Sequence, residues 1–177
     1  TAGNSTPLTD GAAAVLLSNE AWAQAHRLSP LAWLVDAEAA AVDYFGPDAE
    51  GLLMAPAYAV PRLLARNGLR LADFDYYEIH EAFSGQVLCT LAAWEDADYC
   101  RSRLGLTAAL GSIDRSRLNV NGGSVGLGHP FAATGARIIA AAAKQLALHR
   151  QQTGRAGRTL ISICAAGGLG ATAILEG

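Results

Sequence analysis

Three short blocks gather residues that could move protons or acyl groups. The first is His80-Glu81-Ala82-Phe83, directly after the β-forming run from Phe74 to Ile79. A side chain leaving the carboxyl end of a strand sits at the sheet edge where α/β proteins bind ligands. The second is Gly126-Leu127-Gly128-His129-Pro130. Pro130 suits the first position of a helix, where no N–H partner is needed. The positive end of that helix would favour neutral imidazole at His129, the form a general base requires. Gly128 and its neighbours let a ligand approach the backbone closely. The third is Cys164-Ala165-Ala166-Gly167-Gly168, a cysteine leaving an apolar run into a glycine turn. Beside an imidazole, a thiol drops below its usual pKa of about 8.5 and can shuttle protons. Taken singly, each block has a plainer reading. His80 would be a satisfied loop histidine with Glu81 a first-turn helix charge, His129 a helix-entry histidine, and Cys164 an inert packed thiol. Cys89, in an apolar stretch, reads as packing. His26 and His149 read as solvated caps near helix ends.

These blocks need elements to hold them. The run Ala12–Ser18 predicts a buried strand, and Asn19–Ala25 a short helix capped by Ser18 or Asn19. A long strand is expected over 31–42, and a helix over 56–67 ended by Gly68. Phe74–Ile79 predicts a strand and Ala82–Trp94 a helix. The stretch 101–117 reads as irregular and 119–129 as a glycine-rich loop. A helix is expected from Pro130 to about Arg150. Its first half, Phe131 to Ala143, carries Arg137 as its one charge, which predicts burial between layers. The runs 159–165 and 171–176, joined through glycines, predict a β-hairpin. Strands alternating with helices point to an α/β layered domain.

Composition narrows the classes. Of 177 residues, 51% are hydrophobic and 16% charged, against about 25% charged in an ordinary domain. With 37 alanines and 19 glycines, the chain is too apolar for disorder. A net charge of −3 offers no basic footprint for nucleic acid. No apolar run of about 20 residues predicts a membrane span. The cysteines Cys89, Cys100 and Cys164 form no C-x-x-C pair, which predicts no metal and a reducing cytoplasm. So few charges imply surface hidden against a partner, and a start at Thr1 implies a trimmed or excised piece.

In order, the three blocks resemble the C-terminal half of the thiolases, whose sequences carry an N/H-E-A-F block, a G-H-P block and a C-x-G block. Asn119-Val120-Asn121-Gly122-Gly123-Ser124 before the histidine and Ala133-Thr134-Gly135-Ala136-Arg137 after it match as well, as do Thr1-Ala2-Gly3-Asn4 and Asp10-Gly11-Ala12-Ala13-Ala14. His80 and the wording around Cys164 are nearest the degradative 3-ketoacyl-CoA thiolases of fatty-acid β-oxidation. The resemblance implies an α/β thiolase-like half, residues 1–177, with a mixed β-sheet covered by helices on both faces, one half of an αβαβα layered fold. It implies acyltransferase chemistry between 3-ketoacyl-CoA, CoA and acetyl-CoA, with CoA as co-substrate and no resident cofactor. His129 would be the base and donate to one oxyanion hole, Cys164 would be the acid/base, His80 would hold the water or supply the donor that completes that hole, and the backbone at Ala166 and Gly167 would be part of a second. Glu81, Gly128 and Pro130 would support them. The partner would be an N-terminal half carrying the nucleophilic cysteine in a C-x-S block, which this sequence lacks together with the loop region that grips most of the CoA. The complete enzyme would be a homodimer or tetramer, with the helix from Pro130 in its shared central layer. Two departures stand out: the missing nucleophile, and Ala166 where the family has glycine, which would be strained at positive φ. Besides a thiolase domain, the sequence allows a stand-alone subunit completed by a separate chain, or a non-catalytic acyl-CoA-binding or assembly module.

Overall fold

A computed structural model describes residues 1–177. Four strands form one mixed sheet in the order β1-β4-β3-β2. They are β1 (Trp33–Ala41), β2 (Tyr76–Ile79), β3 (Arg158–Ala165) and β4 (Leu169–Glu176). β2 runs parallel to β3, while β1 and β3 flank β4 antiparallel. The expected hairpin is β3–β4, turning at Ala166-Gly167-Gly168.

Strand alternation assigns the two faces. Tyr77, Ile79, Leu160 and Ile174 meet Val60, Leu63 and Leu64 of α2 (Ala55–Asn67) and Val87, Leu91 and Trp94 of α3 (Ser84–Glu95). Ile161 and Leu175 meet Ile138, Ala142 and Leu146 of α6 (Ala132–Thr153). The sheet is therefore covered on both faces. Short helices α1 (Glu20–Ala25), α4 (Ala97–Ser102) and α5 (Ser124–Leu127) complete the chain. Asn19 caps α1 by accepting from the Trp22 N–H, and Gly68 ends α2 in the left-handed region. α2 also carries Pro61 inside it, which cannot donate to the Ala57 carbonyl one turn back. The buried Trp94 indole N–H donates to that carbonyl at 3.3 Å, so α3 restores the bond that proline removes. No helix is long and apolar enough to cross a membrane.

Several expectations are corrected. Ala12–Ser18 forms no strand; it adopts no regular element, pairs with nothing and is exposed, because no neighbouring strand in this chain offers it a ladder. α3 starts at Ser84 and α6 at Ala132, so Glu81 and Pro130 both precede their helices. Phe131 enters α6 at φ 41°, and the Pro130 carbonyl accepts from the Ala133 N–H. α6 is not buried on all sides: Thr134, Ile138, Ala142, Leu146 and Ala147 are covered, and most of the remaining circumference of its first half is half-exposed. Cys89 is exposed rather than packed. His26 caps α1 as expected, but His149 lies inside α6, its Nδ1 3.0 Å from the Tyr76 hydroxyl.

Candidate active site

The carboxyl end of β2 and the turn after β3 lie at one edge of the sheet. The His80 N–H donates to the Ser162 carbonyl at 2.9 Å, extending the parallel ladder one residue beyond β2 and fixing where His80 begins. On the open side of β2, Asn119 acts as a surrogate strand residue. Its Oδ1 accepts from the Ile79 N–H and its Nδ2 donates to the Ile79 carbonyl, both at 2.9 Å. Nδ2 also reaches Glu81 Oε1 at 2.6 Å, and Glu81 Oε2 accepts the Val125 N–H at the start of α5 at 3.0 Å. Glu81 is thus a clamp between two loops, not a first-turn helix charge.

The amino-terminal segment ties the same loops together. The Thr6 N–H donates to the Ala82 carbonyl at 3.0 Å, the Thr6 hydroxyl to the Ser124 carbonyl at 2.7 Å, and the His129 N–H to the Pro7 carbonyl at 3.0 Å. Gly128 sits at φ 95°, and a Cβ there would overlap the Thr9 side chain, so this crossing admits only glycine.

The result is contact between the two histidines, with ring centroids 4.4 Å apart. His129 Nδ1 lies 2.7 Å from the Thr134 hydroxyl and His80 Nδ1 2.9 Å from the Ser124 hydroxyl. Burial, then the charges of His129 and Arg137, push His80 down to about 4. Burial and then Arg137 lower His129 as well, so both rings are held neutral near pH 7. Cys164 and His80 line a cavity of about 10 Å³, close to one water in size, with Ser162 and Gln86 among its walls. The Ser162 hydroxyl is buried without a partner. Burial pushes the Cys164 thiol up, opposed by backbone N–H groups including that of Ala82, so it is a protonated thiol rather than a thiolate near pH 7. Beyond it, Ala166 is exposed and its N–H makes no bond within the chain. The feared strain is absent: Gly167 and Gly168, not Ala166, take positive φ.

The profile of the thiolase C-terminal domain matches residues 28–177. The chain belongs to the thiolase family. It is 47% identical over 176 residues to the 3-ketoacyl-CoA thiolases of Pectobacterium carotovorum and Pectobacterium atrosepticum, and 46% identical to that of Yersinia pestis. Each match covers 99% of this chain and 38% of the relative, so the chain spans well under half of their length. Among solved structures, Acat5 thiolase from Ascaris suum, in complex with coenzyme A, superposes with a TM-score of 0.76 at 31% identity. The acetyl-CoA acetyltransferase of Bacillus anthracis follows with 0.73 at 34%. Both matches cover 99% of this chain and 38% of theirs. The chain is thus a thiolase C-terminal domain with an α/β thiolase-like fold.

In this thiolase domain the structure brings His80, His129 and Cys164 to one edge, with Glu81, Gly128 and Pro130 as scaffolding around them. Asn119, Ser124, Thr134 and Arg137 are the orienting residues that sequence reasoning did not single out as functional. One signal existed: Arg137 is the lone charge in the apolar half of α6.

Proposed function

We propose that this domain supplies the histidine base and the cysteine acid/base of a 3-ketoacyl-CoA thiolase, an acyltransferase that cleaves 3-ketoacyl-CoA with CoA. The single observation that carries the reading is the contact of His80 with His129 at one sheet edge, with Cys164 lining the same small cavity as His80. Acyl transfer through a thiol nucleophile needs a neutral base to take its proton, donors for the developing oxyanion, and an acid for the departing carbanion.

His129 takes the proton of a cysteine thiol contributed by the N-terminal half. That sulfur attacks the 3-keto carbon, and the carbon–carbon bond breaks. The electron pair leaves on the acetyl-CoA enolate, which takes the Cys164 proton. The Cys164 thiolate then takes the proton of the CoA thiol, whose sulfur attacks the acyl-enzyme thioester; the acyl–sulfur bond to the enzyme breaks, the nucleophilic cysteine takes its proton back from His129, and the shortened acyl-CoA leaves. His80 donates to the first oxyanion and the free Ala166 N–H to the second, with Gly167 opening the turn for approach.

The domain's surface suits a missing half. Leu16 and Leu17 are each 71% exposed, and Leu34, Phe83, Leu127 and Phe131 are also exposed. Such exposure of large apolar side chains marks interaction surfaces. Covering α6 with a second half and pairing the completed bodies into dimers or tetramers would explain the low charge of the chain. Three free cysteines suit a reducing cytoplasm.

The test is thiolysis of acetoacetyl-CoA. The domain joined to its N-terminal half turns over, His129→Ala abolishes turnover, and the domain alone gives none. Robust turnover by the domain alone would overturn the half-site reading. Full activity of the complex with His129→Ala would favour a non-catalytic module.

A further inference from the structure

We propose that Arg137 is a positioning residue for His80, acting through the Ser124 hydroxyl, which it orients to donate to His80 Nδ1 so that the proton-bearing Nε2 is the ring atom left for the reacting oxygen. Ser124 Oγ lies 2.9 Å from Arg137 Nη2 and 2.9 Å from His80 Nδ1, and it has no other side-chain partner. A guanidinium only donates, so the serine oxygen accepts from Arg137. The single hydroxyl proton then has one destination, His80 Nδ1. In the opposite arrangement, Nδ1–H would donate into an oxygen whose own proton meets no acceptor. Ser124 is 1% exposed, so that proton would be buried and unpaired, an arrangement folded proteins avoid.

With Nδ1 accepting, a neutral imidazole carries its proton on Nε2. The ring is held neutral by its burial and, of the nearby charges, by that of Arg137, since His129 is itself neutral near pH 7. Nε2 makes no bond within the chain, and the ring lines the small cavity shared with Cys164. A fixed Nε2–H is what an oxyanion needs, because a donor oriented before the reaction pays no reorganisation during it.

The remainder of Arg137 fits this assignment. Its Nε is buried without a partner, and no carboxylate lies within ion-pair distance of it. An arginine held in α6 for an ion pair would show that pair; this one makes a single side-chain bond, to Ser124. Without it, nothing fixes the rotor of the Ser124 hydroxyl; wherever the hydroxyl turns away from Nδ1 the Nδ1–H tautomer becomes populated, and Nε2 is then an acceptor facing a negative oxygen.

The catalytic weight of this relay rests on the thiolase reading above, but the tautomer does not. The experiment uses the complete protein labelled with 15N-histidine, with the His80 signals assigned by their loss in His80→Asn. Long-range 1H–15N spectra at pH 7 report which ring nitrogen is protonated. The expected wild-type state is Nε2–H, turning wholly or partly to Nδ1–H in Arg137→Met and Ser124→Ala and returning towards wild type in Arg137→Lys. Thiolysis by Arg137→Met falls about 10- to 100-fold in kcat with KM little changed, somewhat less than outright loss of an oxyanion donor. A wild-type Nδ1–H state overturns the relay whether or not any variant folds. So does an unchanged tautomer and kcat in Arg137→Met. Absence of thiolysis in every form, with the tautomer as expected, would sink the functional reading and leave the relay standing.

Discussion

Replacing Asn119 by alanine should destabilise the domain more than any other single polar truncation near the site. The side chain makes three bonds: both backbone groups of buried Ile79, and the Glu81 carboxylate. Truncation leaves the Ile79 N–H and carbonyl unpaired, at about 1–3 kcal/mol each for a buried group, while Glu81 keeps its Val125 bond and suffers less. Asn119 also sits at φ 47°, where alanine adds about 1 kcal/mol of backbone cost that glycine avoids. The expected loss is about 3–7 kcal/mol for Asn119→Ala, a large share of the 5–15 kcal/mol typical of a domain. Asn119→Gly should recover about 1 kcal/mol of it. Urea unfolding followed by fluorescence of the buried Trp94 reads both, as a lower midpoint at constant slope. A loss below about 1 kcal/mol in Asn119→Ala would refute the claim that its amide completes the open edge of β2. An alanine variant more stable than the glycine variant would refute the backbone part.

Stability should also depend on pH through two buried groups of opposite sign. His80, lowered from 6.5 to about 4, contributes stability that is present above pH 6.5 and lost as pH falls towards 4; Glu78, raised by burial from 4.5 to about 7 against the pull of Arg137, contributes stability present below pH 4.5 and lost as pH rises towards 7. Glu78→Gln removes the second arm, so relative to wild type the variant gains about 1.4 kcal/mol per pH unit between 4.5 and 7, read by urea midpoints across that range; parallel profiles would refute the assignment. Alkylation by iodoacetamide near neutral pH, followed by peptide mass spectrometry, should label exposed Cys89 first and reach Cys100 and Cys164 only when the domain opens. Equal rates at Cys89 and Cys164 would refute a buried, protonated Cys164.

The elements that carry their own local signals were legible. α2 announced its end through Gly68, β3 and β4 through apolar runs around a glycine turn, and α1 through Asn19. The three chemical blocks were legible too, because His80, His129 and Cys164 each stand where a strand ends or a helix is about to begin. Ala12–Ser18 was misread for a physical reason. Its apolar character is real, but a strand is a relation between two segments, and no segment of this chain pairs with it. Burial of α6 was overread in the same way, since its composition describes a helix covered on more sides than this chain covers.

What the sequence determined by itself is the family, the α/β layering and the three blocks that hold His80, His129 and Cys164, all of which follow from residue types and short-range order. Only the tertiary structure decided how those side chains are held. Asn119 reaches back 40 residues to Ile79, Ser124 reaches 44 to His80, and Thr6 spans 118 to Ser124. Hydrogen bonds act over about 3 Å of space and are indifferent to distance along the chain. The orientation of the His80 ring is therefore set by partners whose significance no local pattern records.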